Sequence, residues 1–300
     1  MALKDLLIDP SSRQALILDY ANKAIKNLNN EKFIGRIEDG IPMILPQTLD
    51  ADLSKSEQNN QANSNFNYLE HYQKDAEVFD YDDVGDILVR DERNRLNQKI
   101  IKKIDKTAQY ILDVGCGNGW LSRAVQNDNN QVISMDVSLV NTKKALKNQT
   151  HPNHVALIAD VFNLPIKDDS LDVIVASEII EHVSDPQAFI AALIRPLKKG
   201  GELIISTPFN ETIVQHLCVH CNNLTPANAH LHSFTEENMK PLIPKDIQNY
   251  VFEKSVNKYF LKARIYKLFR KFPFGFWNQL DKFANVVFKN PTRLILVITK

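Results

Sequence analysis

Three hundred residues leave room for one large domain with a small companion, or for two modest ones. With 44% hydrophobic, 24% charged and 8% aromatic residues, the chain is not disordered throughout, collagen-like or a disulfide-stapled miniprotein. Thirty-six basic and 36 acidic residues cancel, which argues against nucleic-acid binding as the main task, yet residues 254–300 hold 11 basic residues against one acidic, Asp281. The start, MALKDLLIDP, lacks a basic stretch followed by an apolar one, and no run approaches the ~18 apolar residues of a spanning helix. Three cysteines make no secreted framework, so a reducing, cytoplasmic compartment is expected.

Residues 1–50 are compact, with an apolar stretch at 15–18, then FIGRI and IPMILP flanking Asp39-Gly40. Two short apolar runs around Asp-Gly predict a hairpin, because glycine supplies the positive φ of a tight turn. Residues 54–65, SKSEQNNQANSN, contain one apolar residue, Ala62, and read as part of a flexible linker over 51–67. A helix is predicted over 91–106, with Leu96, Ile100, Ile101 and Ile104 on one face. Strands are predicted at YILDV (110–114), QVISM (131–135), VALIA (155–159), LDVIVA (171–176), ELIIST (202–207), NYVFEKSV (249–256) and RLILVIT (293–299). Strands alternating with helical segments predict an α/β domain over 68–300 with a mostly parallel sheet covered on both faces.

The densest signal is Asp113-Val-Gly115-Cys116-Gly117-Asn118-Gly119, directly after the first of these strands. Closely spaced glycines let a ligand sit against the backbone, with the amides of the following helix facing it. The spacing G-x-G-x-G is shorter than the cradle a pyrophosphate needs. Asp136, 21 residues after Gly115, ends the next strand where an acid accepts hydrogen bonds from ribose hydroxyls. Asp160-Val161 ends the third, placed to meet an adenine edge. The set describes a nucleoside pocket without a phosphate.

LDVGCGNG, Asp136, ADVFNLPI (159–166), LDVIVASEIIEHVSDP (171–186) and LKKGGELIISTP (197–208) resemble the successive motifs of the class I S-adenosylmethionine-dependent methyltransferases, in order, over roughly 70–300. The resemblance implies a Rossmann-like seven-stranded sheet whose last strand is antiparallel. It also implies S-adenosylmethionine as cofactor, with Gly115, Cys116 and Gly117 against its methionine part and Asp113 at its ammonium. Asp136 would take the ribose, Val137, Asp160 and Val161 the adenine, and Glu178 would join the site. Val137 and Val161 also read as plain core.

Transfer of an already activated methyl group needs a base only for a poorly acidic acceptor. In Glu178-Ile-Ile-Glu181-His182, helical spacing would put Glu178 and His182 on one face, with Glu181 and His182 the catalytic candidates. His182 has the pKa of a base near neutrality, but capping or packing a helix is an equal reading. Downstream, His216, Cys218, His220, Cys221, His230 and His232 crowd into residues 216–232. Cys218 and Cys221 with His230 and His232 offer ligands for tetrahedral zinc, or a pocket loop leading into a capping box at Ser233-Phe-Thr-Glu236.

The first fifty residues resemble the small zinc-ribbon domain of tRNA-methyltransferase activators through LLIDP and DGIPMILP, with Asp9-Pro10-Ser11-Ser12 where the first cysteine pair would be. Residues 257–291 hold ten of the 25 aromatic residues in a basic, amphipathic pattern. That pattern suits a helix in a bilayer interface, a lid over a greasy acceptor, or a helical pair docked on the sheet. The expectation is methyl transfer to a small or lipid-like metabolite. An RNA or protein methyltransferase with an N-terminal adaptor, and a non-catalytic cofactor-binding scaffold, are the rival readings.

Overall fold

The structure, a computed structural model, describes residues 3–46, 68–79, 86–219, 222–265 and 272–300. The whole linker expected over 51–67 thus lies outside the described residues, as do His220, Cys221 and residues 266–271. The chain divides into two compact units, one of residues 1–83 and 107–172, the other of residues 84–106 and 173–300.

In the first unit, β1 (Leu16–Asp19), β2 (Ala24–Asn27), β3 (Phe33–Glu38) and β4 (Ile41–Ile44) form an antiparallel meander. Glu38 pairs with Ile41, and the two turn residues between them, Asp39 and Gly40, have φ of 50° and 82°. Both lie in the left-handed region that a two-residue hairpin requires. Three strands follow, β5 (Tyr110–Val114), β6 (Gln131–Asp136) and β7 (His154–Ala159), running parallel in the order β7-β6-β5. Their side chains are buried almost without alternation, the pattern of strands covered on both faces.

The meander is not the separate small domain expected over 1–50. Its β4 pairs in parallel with β7, Met43 opposite Ile158 and Ile44 opposite Ala159. Ile41, Met43 and Leu45 share one buried cluster with Leu69, Ala156 and Ile158. Composition marked a boundary at the polar linker, but apolar β4 found a free strand edge beyond it. At the sequence positions where the resembled zinc ribbon has its first cysteine pair, hydrogen bonds pin the turn. Asp9 accepts from the Ser11 amide (2.9 Å), Ser12 Oγ (2.7 Å) and Asn27 Nδ2 (2.8 Å).

The second unit begins with the Ile87–Lys103 helix, which starts four residues before the expected 91 because Asp86 caps it, accepting from the Leu88 amide at 2.8 Å. Its strands are β8 (Leu171–Ser177, entering from the first unit), β9 (Leu197–Pro208), β12 (Asn249–Asn257) and β13 (Pro291–Thr299), with a small hairpin of β10 (Gln215–Leu217) and β11 (Leu224–Pro226). The order is β8-β9-β13-β12, and β13 runs antiparallel to both neighbours, as the resemblance implied. All seven segments predicted as strands are strands, and the fold class is the Rossmann-like α/β one.

The aromatic, basic insertion lies between β12 and β13 and contains the Lys258–Lys262 and Phe274–Phe288 helices. The second of these buries Trp277, Asp281 and Ala284, at i, i+4 and i+7, along one stripe. Fully buried Asp281 accepts from the Val256 and Asn257 amides (3.0 and 2.8 Å) and from Lys99 Nζ (3.0 Å). Arg95 lies 4.2 Å from the centre of the Trp277 ring. Among the described residues, no helix is long and apolar enough to cross a membrane.

Candidate active site

In the first unit the glycine loop follows β5 directly. Gly115, Gly117 and Gly119 have φ of 65°, 50° and 78°, values a side chain rarely tolerates. At Gly119 a Cβ would meet Ala145 Cα and Cβ at 2.9 Å, so the loop and the Leu139–Asn148 helix approach only because that position is bare. Asp113, one residue before the end of β5, is 1% exposed, and its Oδ2 has no hydrogen-bond partner. Burial, with the Asp136 carboxyl as a lesser cause, holds its carboxyl well above the usual range. An orphaned, desolvated carboxylate oxygen is costly to keep unless a cation or donor arrives to meet it.

Asp136, ending β6, accepts from the Gly117 amide (3.2 Å), the Ser138 amide (2.9 Å) and Asn141 Nδ2 (3.2 Å), which ties it to the loop. Burial pushes its pKa up to about 6 against those three donors. Asp160, just beyond β7, accepts from the Phe162 amide at 3.2 Å and from Tyr68 Oη at 2.8 Å. Burial raises its carboxyl too, opposed by those bonds. Three carboxylates thus stand at the carboxyl ends of three adjacent parallel strands, the place where open α/β sheets bind ligands.

The second unit holds a different cluster, after β8. Glu178 has φ 58°, and residues 180–182 make a single 3₁₀ turn, so Glu178 and His182 do not share the helix face expected from their spacing. Glu178 instead accepts from Ser206 Oγ (3.1 Å) and pairs with Arg293 (2.9 Å), which also pairs with Glu92 (3.0 Å). Burial raises the Glu178 carboxyl and Arg293 opposes it. Glu181 is 1% exposed. Its Oε2 accepts from Thr207 Oγ1 at 3.0 Å, and its Oε1 has no partner. Burial and then the Glu178 charge push it well above the usual range. The His182 ring meets the His230 ring edge to face, centroids 4.8 Å apart, and His230 Nδ1 donates to Glu211 Oε2 at 2.5 Å.

Residues 112–205 match the protein family described as a methyltransferase domain. That stretch reads as a methyltransferase domain. Among curated relatives, the malonyl-[acyl-carrier protein] O-methyltransferase of Hahella chejuensis is 31% identical over 109 residues, covering 36% of this chain and 39% of that protein. The ubiquinone biosynthesis O-methyltransferase of Hydrogenovibrio crunogenus is 26% identical over 190 residues, covering 60% and 78%. The match thus spans about two-fifths of the malonyl relative's length. Among solved structures, Haemonchus contortus phosphoethanolamine N-methyltransferase 2 in complex with S-adenosyl-L-methionine is 19% identical, covers 68% of this chain and 52% of that one, and superposes with a TM-score of 0.47.

Within the methyltransferase domain the strand ends gather Asp113, Gly115, Gly117, Asp136 and Asp160, as the sequence predicts. Cys116 is used up inside the loop. Its side chain is buried, its amide donates to Met135 O (3.0 Å), and its carbonyl accepts from the Gly119 amide (2.9 Å). Val137 packs against the cluster around Ile41 and Ile158, and Val161 is buried. Sequence reasoning missed Tyr68, Arg293, Glu92 and Glu211, none of which stands in a local motif.

The proposed zinc set does not come together among the described residues. The residues whose ligand atoms lie within reach of one another are Glu181, His182 and His230, not Cys218 or His232. His232 Nε2 is engaged with Val183 O at 2.9 Å, and Cys221 lies outside the described residues. The predicted capping box is also displaced by two residues, to Thr235 with Asn238, because the helix begins at Glu236 with Thr235 in the extended cap conformation.

Proposed function

We propose that the chain transfers a methyl group from S-adenosylmethionine to an oxygen of a small or lipid-like acceptor. The observation that carries this is the orphaned, buried Oδ2 of Asp113 at a loop of three positive-φ glycines, with Asp136 and Asp160 at the next two strand ends. S-adenosylmethionine supplies, when bound, a methyl group already activated on a sulfonium. Asp113 Oδ2 would accept from its ammonium, Asp136 from its ribose hydroxyls, and Asp160 from its adenine amino group, with Gly115 and Gly117 leaving room along the backbone. At the acceptor, Glu181, His182 and His230 form the cluster where an acceptor hydroxyl gives up its proton, and Arg293 holds Glu178 beside it. The relatives named as O-methyltransferases support oxygen as the accepting atom.

The cofactor half is tested by calorimetry with S-adenosylhomocysteine. In the ligand-free chain Asp136 titrates near pH 6, and hydrogen-bond donors from a ribose favour its ionised form. Binding therefore releases a proton below that pH. Affinity is expected to rise about tenfold from pH 5 to pH 7 and then level, since the ionised fraction of a group with a pKa near 6 rises about tenfold over that span. Asp136→Asn should weaken binding roughly a hundredfold and flatten that rise. No detectable binding by the wild type at pH 7.5 would remove the reading.

The lipid-like character of the acceptor is supported by the insertion. On the Phe274–Phe288 helix, Phe276, Phe283, Val286, Val287 and Phe288 face solvent, with Phe283 65% and Val286 72% exposed, beside Lys282 and Lys289. An apolar face rimmed by lysines suits the surface of an anionic bilayer. Flotation with vesicles containing phosphatidylserine is expected to carry the protein at low salt and release it at high salt. Phosphatidylcholine alone should carry little. Equal flotation with both would leave the lysines without this role.

A further inference from the structure

We propose that a groove beside the Phe274–Phe288 helix binds a single-chain phosphate monoester, its aliphatic chain on the apolar walls and its phosphate on the rim lysines.

The groove lies wholly within the second unit and has a volume of about 750 Å³. That is the size of a small-molecule site, roughly 300–1,000 Å³. Phe209, Phe252, Val286 and Pro291 supply its apolar lining. Phe209 directly follows β9, and its amide donates to Thr292 O at 2.9 Å, which ties this end of the groove to the start of β13. On the helix side Asn285 lines the groove, held by Asn257, whose Nδ2 donates to Asn285 Oδ1 at 2.9 Å.

Charge selects the occupant. Lys254, Lys282 and Lys289 line the same groove, against one carboxylate, Glu253. That carboxylate is already matched by lysines outside the groove, Lys103 at 2.5 Å and Lys99 at 3.3 Å. Lys254 pairs with Glu236 at 2.9 Å and lies 5.2 Å from the centre of the Phe209 ring, which sets an ammonium against the apolar wall. Lys282 and Lys289 are exposed and make no ion pair among the described residues. Two uncompensated cations beside an apolar floor match a dianion carried on an apolar body. A phosphate monoester brings a charge of about −1.5 to −2 at pH 7 and three acceptor oxygens, and the flexible lysine stems can close on it. A carboxylate would leave one of the two lysines unmatched.

The role of the groove rests on the methyl-transfer reading. Thr207, whose hydroxyl holds Glu181, stands two residues before Phe209, about 7 Å along the chain. The groove would hold the chain and phosphate of the acceptor while its hydroxyl reaches the Glu181 cluster.

Calorimetric titration of the full chain with dodecyl phosphate, below its critical micelle concentration and with no cofactor present, tests the site. Its outcome therefore stands apart from that of S-adenosylhomocysteine binding. The expected result is saturation at one molecule per chain. Inorganic phosphate, which lacks the chain, and dodecyl maltoside, which lacks the charge, should each bind at least about tenfold more weakly. Laurate, with a single charge, should bind about threefold more weakly. The double variant Lys282→Gln with Lys289→Asn should weaken dodecyl phosphate binding about tenfold. Asparagine is chosen at 289 because the backbone there has φ 46°, a conformation it tolerates. Retained S-adenosylhomocysteine binding and an unchanged circular dichroism spectrum would show the variant folded. Absence of saturable one-to-one binding would overturn the inference, as would unweakened binding by the folded double variant. Equal binding of inorganic phosphate, the maltoside or laurate would overturn it too. So would flotation with phosphatidylserine vesicles by a chain that does not bind the soluble monoester, which would leave a charged surface and no groove site.

Discussion

Replacing Asp281 by alanine is expected to destabilise the second unit by about 3–5 kcal/mol, the usual cost of breaking a buried ion pair from one side. Lys99 is 3% exposed, and its ammonium would lose its shortest ion pair. Its remaining carboxylate, Glu253 Oε1 at 3.3 Å, is shared with Lys103. The Val256 and Asn257 amides would lose their acceptors as well. At roughly 2–4 °C per kcal/mol for a unit of this size, the melting temperature should fall by about 10 °C. The double variant Lys99→Met with Asp281→Leu should recover at least ~1 kcal/mol, because apolar partners remove the stranded charge. Thermal unfolding followed by circular dichroism measures both. A loss below ~1 kcal/mol for Asp281→Ala would mean that the Phe274–Phe288 helix is anchored by its apolar stripe alone.

His182→Ala is expected to lower the turnover number by about 10²–10³-fold, the range for losing a proton-handling group. The KM for S-adenosylmethionine should stay within about twofold, since Asp113, Asp136 and Asp160, the carboxylates proposed to hold it, belong to the other unit. Transfer of a labelled methyl group from S-adenosylmethionine into a lipid extract is the measurement. Turnover within about twofold of wild type would leave His182 a merely structural neighbour of His230.

Much of the architecture was legible because its signals are local. Strands buried on both faces read as short apolar runs, and the glycine loop announces itself by composition. The acids at the strand ends are found by counting from Gly115. What stayed hidden depends on partners far apart in sequence. Tyr68 reaches Asp160 across 92 residues, and no pattern near either one predicts it. Arg293 meets Glu92 and Glu178 only after the chain has folded. The Glu178–His182 spacing was misread for a conformational reason. Glutamate is rarely found at positive φ, so propensity gives no warning that the chain turns there instead of starting a helix.

The parallel pairing of β4 with β7 bears on how this protein can be shortened. A protein engineer guided by the polar stretch near residue 60 would trim away the first fifty residues to isolate the catalytic part. That cut would strip the neighbour from β7 and leave its row of amides and carbonyls bare, a template for unwanted chain-to-chain association. In the intact molecule the margin passes outward through the meander to β1, four residues long and therefore a poor template. The leading segment thus acts as a built-in guard against clumping, and truncated versions should precipitate where the full chain does not.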